Sequence, residues 1–155
     1  KRTVEPMMIN NYDIITDNAT IVQEILNRQA GMGIKAQVPD LNQSRVDGII
    51  DRLDEEEVFD DVKWILDEPI KNFTQAIVDD SIKKNIEFHK GLGFEPKIIR
   101  KAEANCCDWC NEIAGVYDYS EAPDDVYRRH RFCRCTVEYD PGDNRKQDVW
   151  TKQWR

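Results

Sequence analysis

Apolar residues recur at intervals of three and four through roughly the first two thirds of the chain, the period of helices with one buried face. Asp17-Asn18 predicts a cap for a helix that carries Ile21, Val22, Ile25 and Leu26 on one side and ends before Gly31-Met32-Gly33. After Pro39, Asp40 with Gln43 three residues on has the form of a capping box, and the stripe Val46, Ile49, Ile50, Leu53 comes next. Asp54-Glu55-Glu56-Glu57 load acid onto the start of a further helix, where the macrodipole favours it; that helix carries Val58, Phe59, Val62, Ile65 and Leu66. Pro69 suits the first turn of the next helix, behind Asp67 or Glu68 as cap. It runs through Ile70, Phe73, Ile77, Ile82, Ile86 and Phe88 to Gly91-Leu92-Gly93. Its signals predict about 20 residues, the longest helix of the chain, apolar on more than one side and so in contact with the helical part and with the segment beyond Gly93.

From Phe94 the pattern changes. Phe94 to Lys101 reads as extended, because Pro96 blocks a helix and Ile98-Ile99 are β-branched. Asp108 to Ala114 predicts one short helix ending at Gly115. Val116 to Tyr119 and Cys133 to Tyr139 read as strands, and Asp140-Pro141-Gly142-Asp143-Asn144 is a strong turn signal. The expected fold is α+β: a helical region over 1–93, a β-rich element over 94–140 packed on the long helix, and a polar tail over 141–155. Trp150 and Trp154 leave that tail either docked on a neighbour or loose.

Size and composition narrow this further. The 155 residues suit one domain, and 34% charged against 40% apolar residues implies a modest core under a solvated surface. A mean hydropathy of -0.70 and the lack of a long apolar run exclude a transmembrane helix, so no membrane partner is expected. Lys1 to Pro6 has no apolar stretch behind its positive charges, as a signal peptide would, and a first residue other than Met reads as a fragment of something longer. The net charge of -8 makes the chain a poor general binder of nucleic acid. Arg128-Arg129-His130-Arg131-Phe132-Cys133-Arg134 is the local exception. It can face phosphates or an acidic protein, or simply balance the negative charge of thiolates beside it.

Those thiolates carry the chemistry. All five cysteines fall between Cys106 and Cys135, and thiolate with imidazole is the preferred donor set of zinc. Cys107 and Cys110 have the spacing at which one turn aims two sulfurs at one ion; His130, Cys133 and Cys135 supply the other two donors in a pairing that spacing leaves open. Ligation by both Cys133 and Cys135 requires a tight turn or bulge, since on an ideal strand their side chains sit about 6–7 Å apart. An odd cysteine count suits four metal ligands and a spare thiol, for which Cys106 is the natural candidate. Surplus donors favour a closed structural site over a catalytic one with an open position. A bound zinc contributes on the order of 10 kcal/mol to small domains, enough to offset the thin core expected over 94–140.

Enzymatic readings are weaker. Cys110-Asn111-Glu112 has the first spacing of the zinc deaminases, but no Pro-Cys-x-x-Cys comes after it. No local signature makes His89 or His130 the base of a thiol enzyme, and His89 reads as a packing or capping residue. A nuclease or other toxin effector using His130 and the neighbouring arginines is the alternative from another class. No catalytic residue is assigned.

The order Cys107-x-x-Cys110-Asn-Glu-Ile-Ala-Gly115-x-Tyr117, then His130-x-x-Cys133-Arg134-Cys135-Thr136-Val137, resembles the C-terminal domain of bacteriophage minor head proteins, the phage Mu protein F-like head-morphogenesis family. The likeness covers about residues 70 to 140. It departs from many members in having Arg131 after the histidine and in lacking most of a long N-terminal region. Membership implies a virion protein of the procapsid interior, present in host cytoplasm during assembly and associated with portal, capsid or scaffold proteins. It also implies that Cys107, Cys110, His130, Cys133 and Cys135 form the family's metal-type cluster and that Gly115 ends its short helix. DNA contact through Arg128, Arg129, Arg131 and Arg134 is a further expectation.

Overall fold

The computed structural model describes residues 3–55, 58–143 and 145–154. The fold is α+β, a helical N-terminal part leading into a small antiparallel sheet. In chain order the elements are α1 (Val4–Gln29), α2 (Gln43–Asp54), α3 (Phe59–Val62) with a 3-10 turn at Lys63–Leu66, α4 (Glu68–Gly91), β1 (Lys97–Lys101), α5 (Asp108–Glu112), β2 (Gly115–Asp118), 3-10 turns at Tyr119–Glu121 and Asp124–Tyr127, β3 (Thr136–Asp140), β4 (Gln147–Asp148) and β5 (Gln153–Trp154).

α1 corrects the expected first helix in start, face and length. It begins at Val4, and Asp17-Asn18 lie inside it, with Asn18 donating to the Ile14 carbonyl at 2.7 Å instead of capping. Its 26 residues, against 24 for α4, make α1 the longest helix. Of the expected apolar face, Leu26 is buried but Ile21 and Ile25 are 60% and 45% exposed, whereas Gln23 is 2% exposed. Gln23 Nε2 reaches Asn27 Oδ1 at 2.8 Å, Tyr139 Oη at 2.7 Å and Gln147 Oε1 at 2.5 Å. These partners let the amide nitrogen occupy a core position, while among the described residues Oε1 has none.

α2 is capped by Asn42, whose side chain accepts from the Arg45 N–H at 3.1 Å, rather than by Asp40. The acidic run expected at the start of the third helix lies partly outside the described residues, at Glu56 and Glu57; the helix after it is a single turn. Pro69 stands in the first turn of α4 as expected. Asn85 on α4 pins the loop after α1 by donating to the Gln37 carbonyl and accepting its N–H, both at 2.9 Å.

The sheet has the order β2-β1-β3-β4-β5, all pairs antiparallel. Central β1 pairs Ile98 with Tyr117 on one side and Tyr139 on the other. The expected strand at Cys133 begins only at Thr136, because the chain turns at Arg131-Phe132. The segment read as a separate tail joins the sheet as β4 and β5, and Trp150 Nε1 donates to the Val137 carbonyl at 3.2 Å. The turn after β3 holds Gly142 at φ +106°, where a Cβ would come within 3.1 Å of the Glu95 backbone; Asn144 lies outside the described residues.

The core is divided into three buried clusters. Leu26, Ile82, Ile86, Val137 and Tyr139 join α1 and α4 to the sheet. Met8, Val46, Ile50, Ile65 and Phe73 join the other ends of the two helices to α2 and the 3-10 turn. The third cluster has only Cys110, Cys133 and Cys135 at its centre, with Ala102, Cys106 and Trp109 around it.

Candidate metal centre

The first donor pair is set by a helix start. Cys107 is the extended N-cap of α5 and Cys110 lies in its first turn, so their three-residue spacing brings both sulfurs to one side. The second half is set by a turn in which the Cys133 N–H donates to the His130 carbonyl at 3.1 Å. That turn needs Phe132 at φ +64°, a left-handed conformation costing a bulky side chain on the order of 1 kcal/mol.

α4 anchors this loop at three points. Asn72 Nδ2 donates to the His130 carbonyl at 3.0 Å, and Arg134 Nη2 donates to both oxygens of Glu68 at 2.8 and 3.1 Å. Arg129 clasps buried Asp79 through Nε at 2.5 Å and Nη2 at 3.0 Å. Burial pushes the Asp79 carboxyl up to about 6, with Arg129 pulling the other way.

All five expected donors meet at one place. Cys107, Cys110 and His130 form one trio and Cys110, Cys133 and Cys135 another; within each the ligand atoms lie within 4.8 Å of one another. Cys110 belongs to both. His130 Nε2 is 3.0 Å from Cys110 Sγ and 3.3 Å from Cys107 Sγ, and Cys110 Sγ is 3.9 Å from Cys133 Sγ. Either trio, or both through Cys110, can hold a metal ion. Cys106 stands outside both, with its thiol 3.2 Å from Asn111 Oδ1.

The imidazole is oriented for ligation. Its Nδ1 is 2.7 Å from the Arg131 carbonyl oxygen, which only accepts, so Nδ1 donates there and the neutral ring presents its Nε2 lone pair to the thiols. Trp109 holds the ring edge-on at 5.7 Å. Burial pushes the Cys110 thiol well up; Cys135 is buried too but held down by a backbone hydrogen bond from Glu103 and by its thiol neighbours. A bound cation overrides both shifts, since a coordinated thiol is deprotonated outright.

The buried cation in contact with a thiol lies outside the 128–134 run, whose Arg131 and Arg134 only line the pocket around the thiols. It is Arg100 of β1, 3% exposed, donating to the Val126 carbonyl at 2.5 Å and standing 3.9 Å from Cys133 Sγ, with its guanidinium 5.3 Å over Trp109. Among the described residues no carboxylate pairs with it directly; Asp79, which feels its charge, is already held by Arg129. A buried guanidinium needs an anion, and a metal-thiolate cluster is one. The sequence carried a faint signal for it, an arginine next to two isoleucines in a strand buried on both faces, but its partner is 33 residues away. Arg128 meets Asp125 at 3.4 Å on the surface, and Arg131 lies over the rings of Trp64 and Phe132 at 5.1 and 4.8 Å.

No family model, curated protein or solved structure matches the chain.

Proposed function

We propose that this chain is a structural module of a phage minor head protein, stapled by zinc and acting in head morphogenesis through contacts with portal or capsid proteins. The observation that carries the reading is the convergence of Cys107, Cys110, His130, Cys133 and Cys135, in the order the resemblance requires, beside one long helix. Zinc suits the donors. With Zn–S near ~2.3 Å and Zn–N near ~2.0–2.1 Å, tetrahedral ligation separates two sulfurs by about 3.8 Å and sulfur from nitrogen by about 3.5 Å. The corresponding separations are 3.9 Å for Cys110–Cys133 and 3.0 and 3.3 Å for the two thiols to His130. The two trios share Cys110, so we take Cys107, Cys110 and His130 as three of the ligands, with Cys133 or Cys135 from the second trio closing the tetrahedron. Both nitrogens of His130 are engaged, which supports a ligand over the general base that a nuclease would need.

Elemental analysis with thiol counting tests the site. One zinc per chain with three cysteines protected until chelation is the expected result; four protected cysteines would bring in both Cys133 and Cys135 in place of His130. His130→Ala should release metal and lower stability. Loss of a nucleic-acid cleavage activity with metal and fold intact would instead establish the nuclease. For the assembly role, the chain should co-sediment with procapsids built from the portal and capsid proteins encoded beside it, and failure to do so would remove the head-protein reading.

A further inference from the structure

A groove of about 450 Å³ opens between α2, the 3-10 turn after α3, the start of α4 and the turn at Arg131. Arg45, Arg52 and Arg131 line it, together with Trp64, Gly48 and Asn72, and no carboxylate lines it although the chain has 30 acidic residues. Among the described residues none of the three guanidiniums has an ion-pair partner within 4.0 Å; Arg45 is near enough to Asp80 to stabilise its charge, and Arg131 has only aromatic rings beneath it. We infer that this groove binds a single strand of nucleic acid, its phosphates on the three arginines and one base on Trp64.

Three features point to that occupant. Arg45 and Arg52 are seven residues apart on one helix, about 10 Å along its axis, which suits successive phosphates better than one. Trp64 is 42% exposed beside Arg131, the pairing of aromatic face and cation on which bases stack in sequence-tolerant single-strand binders. Gly48 sits mid-helix between the two arginines, and a Cβ there would meet nothing within 4 Å. The bare helix surface therefore serves access to the groove rather than close packing, at a cost of about 1 kcal/mol in helix propensity. A peptide of acidic residues alone would use the arginines but place no ring on Trp64. Strand binding at the groove is independent of the head-protein reading: a chain that fails to join procapsids can still bind an oligonucleotide.

Fluorescence anisotropy with a short labelled oligothymidylate and the full zinc-loaded chain tests it. Binding is expected at low salt, with log affinity falling against log salt at a slope of about -2 for three phosphate contacts. Arg52→Gln and Arg131→Gln should each weaken binding about tenfold and flatten the slope, and Trp64→Ala should weaken it by about tenfold or more. Gly48→Leu, which fills the groove without removing a charge, should weaken binding while leaving zinc content and circular dichroism unchanged. Adenosine monophosphate should compete only at far higher concentration. Absence of binding, binding indifferent to Arg52→Gln and Gly48→Leu, or equal affinity for polyglutamate would overturn the inference.

Discussion

Arg100 and His89 show how much one buried side chain can depend on partners remote in sequence. Arg100 has its charge aimed at the thiols and a further donor on a carbonyl, so it acts on the metal through its electrostatics. Arg100→Met keeps much of the volume and removes the charge; zinc affinity, read by competition with a chromophoric chelator, should fall about ten- to a hundredfold. His89 is fully buried among Phe88, Phe94 and Tyr139, and neither ring nitrogen has a partner among the described residues. Burial alone lowers its pKa from 6.5 to about 4. The unfolded chain therefore takes up this proton first. Stability from His89 is fully present above about pH 6.5 and drains away as pH falls toward about 4. Denaturant melts of wild type and His89→Met should diverge over that window, with the variant losing less stability on acidification.

At the scale of elements, α4 joins the two halves of the protein. One face meets α1, and the other receives the loop of residues 128–135 through Glu68, Asn72 and Asp79. The Arg129–Asp79 bridge is the buried member of that set, both side chains 2% exposed. Arg129→Met leaves a buried carboxylate unpaired and should cost about 3 kcal/mol in urea melts. The double change with Asp79→Asn should recover most of the loss, since the pair's net worth is far smaller than the penalty for halving it. α1 shows why this level is hard to read from sequence. Its inward face carries Thr16, Gln23 and Asn27 beside Met8 and Leu26, so its apolar stripe and its buried stripe are different stripes.

Over the whole molecule, the two larger clusters are built mainly from aliphatic and aromatic side chains, whereas the third is built from thiols. Without an ion its centre consists of small, weakly hydrogen-bonding groups around a buried cation. Chelation should therefore act locally. Amide exchange should accelerate over residues 105–116 and 128–135 while α1 and the middle of α4 stay protected, and the thermal midpoint should fall. Uniform acceleration across the chain would mean that the staple governs the whole fold.

The amino-acid order by itself determined those features that depend on neighbours close along the chain. The period of Val46, Ile49, Ile50 and Leu53, the proline opening α4, the extended run at Ile98-Ile99 and the Cys107–Cys110 pair are local patterns with local causes. So the α+β division was legible in the order of residues alone, as were the five residues that the fold gathers into two trios able to hold an ion. Tertiary structure decided the rest. Gln23 is core because its Nε2 meets Tyr139 and Gln147, Arg129 and Arg134 are committed to α4, and it is the buried Arg100 that stands beside the Cys133 sulfur. Each of these is a polar group whose burial is favourable only with a partner far along the chain, and one-dimensional spacing carries no record of that distance.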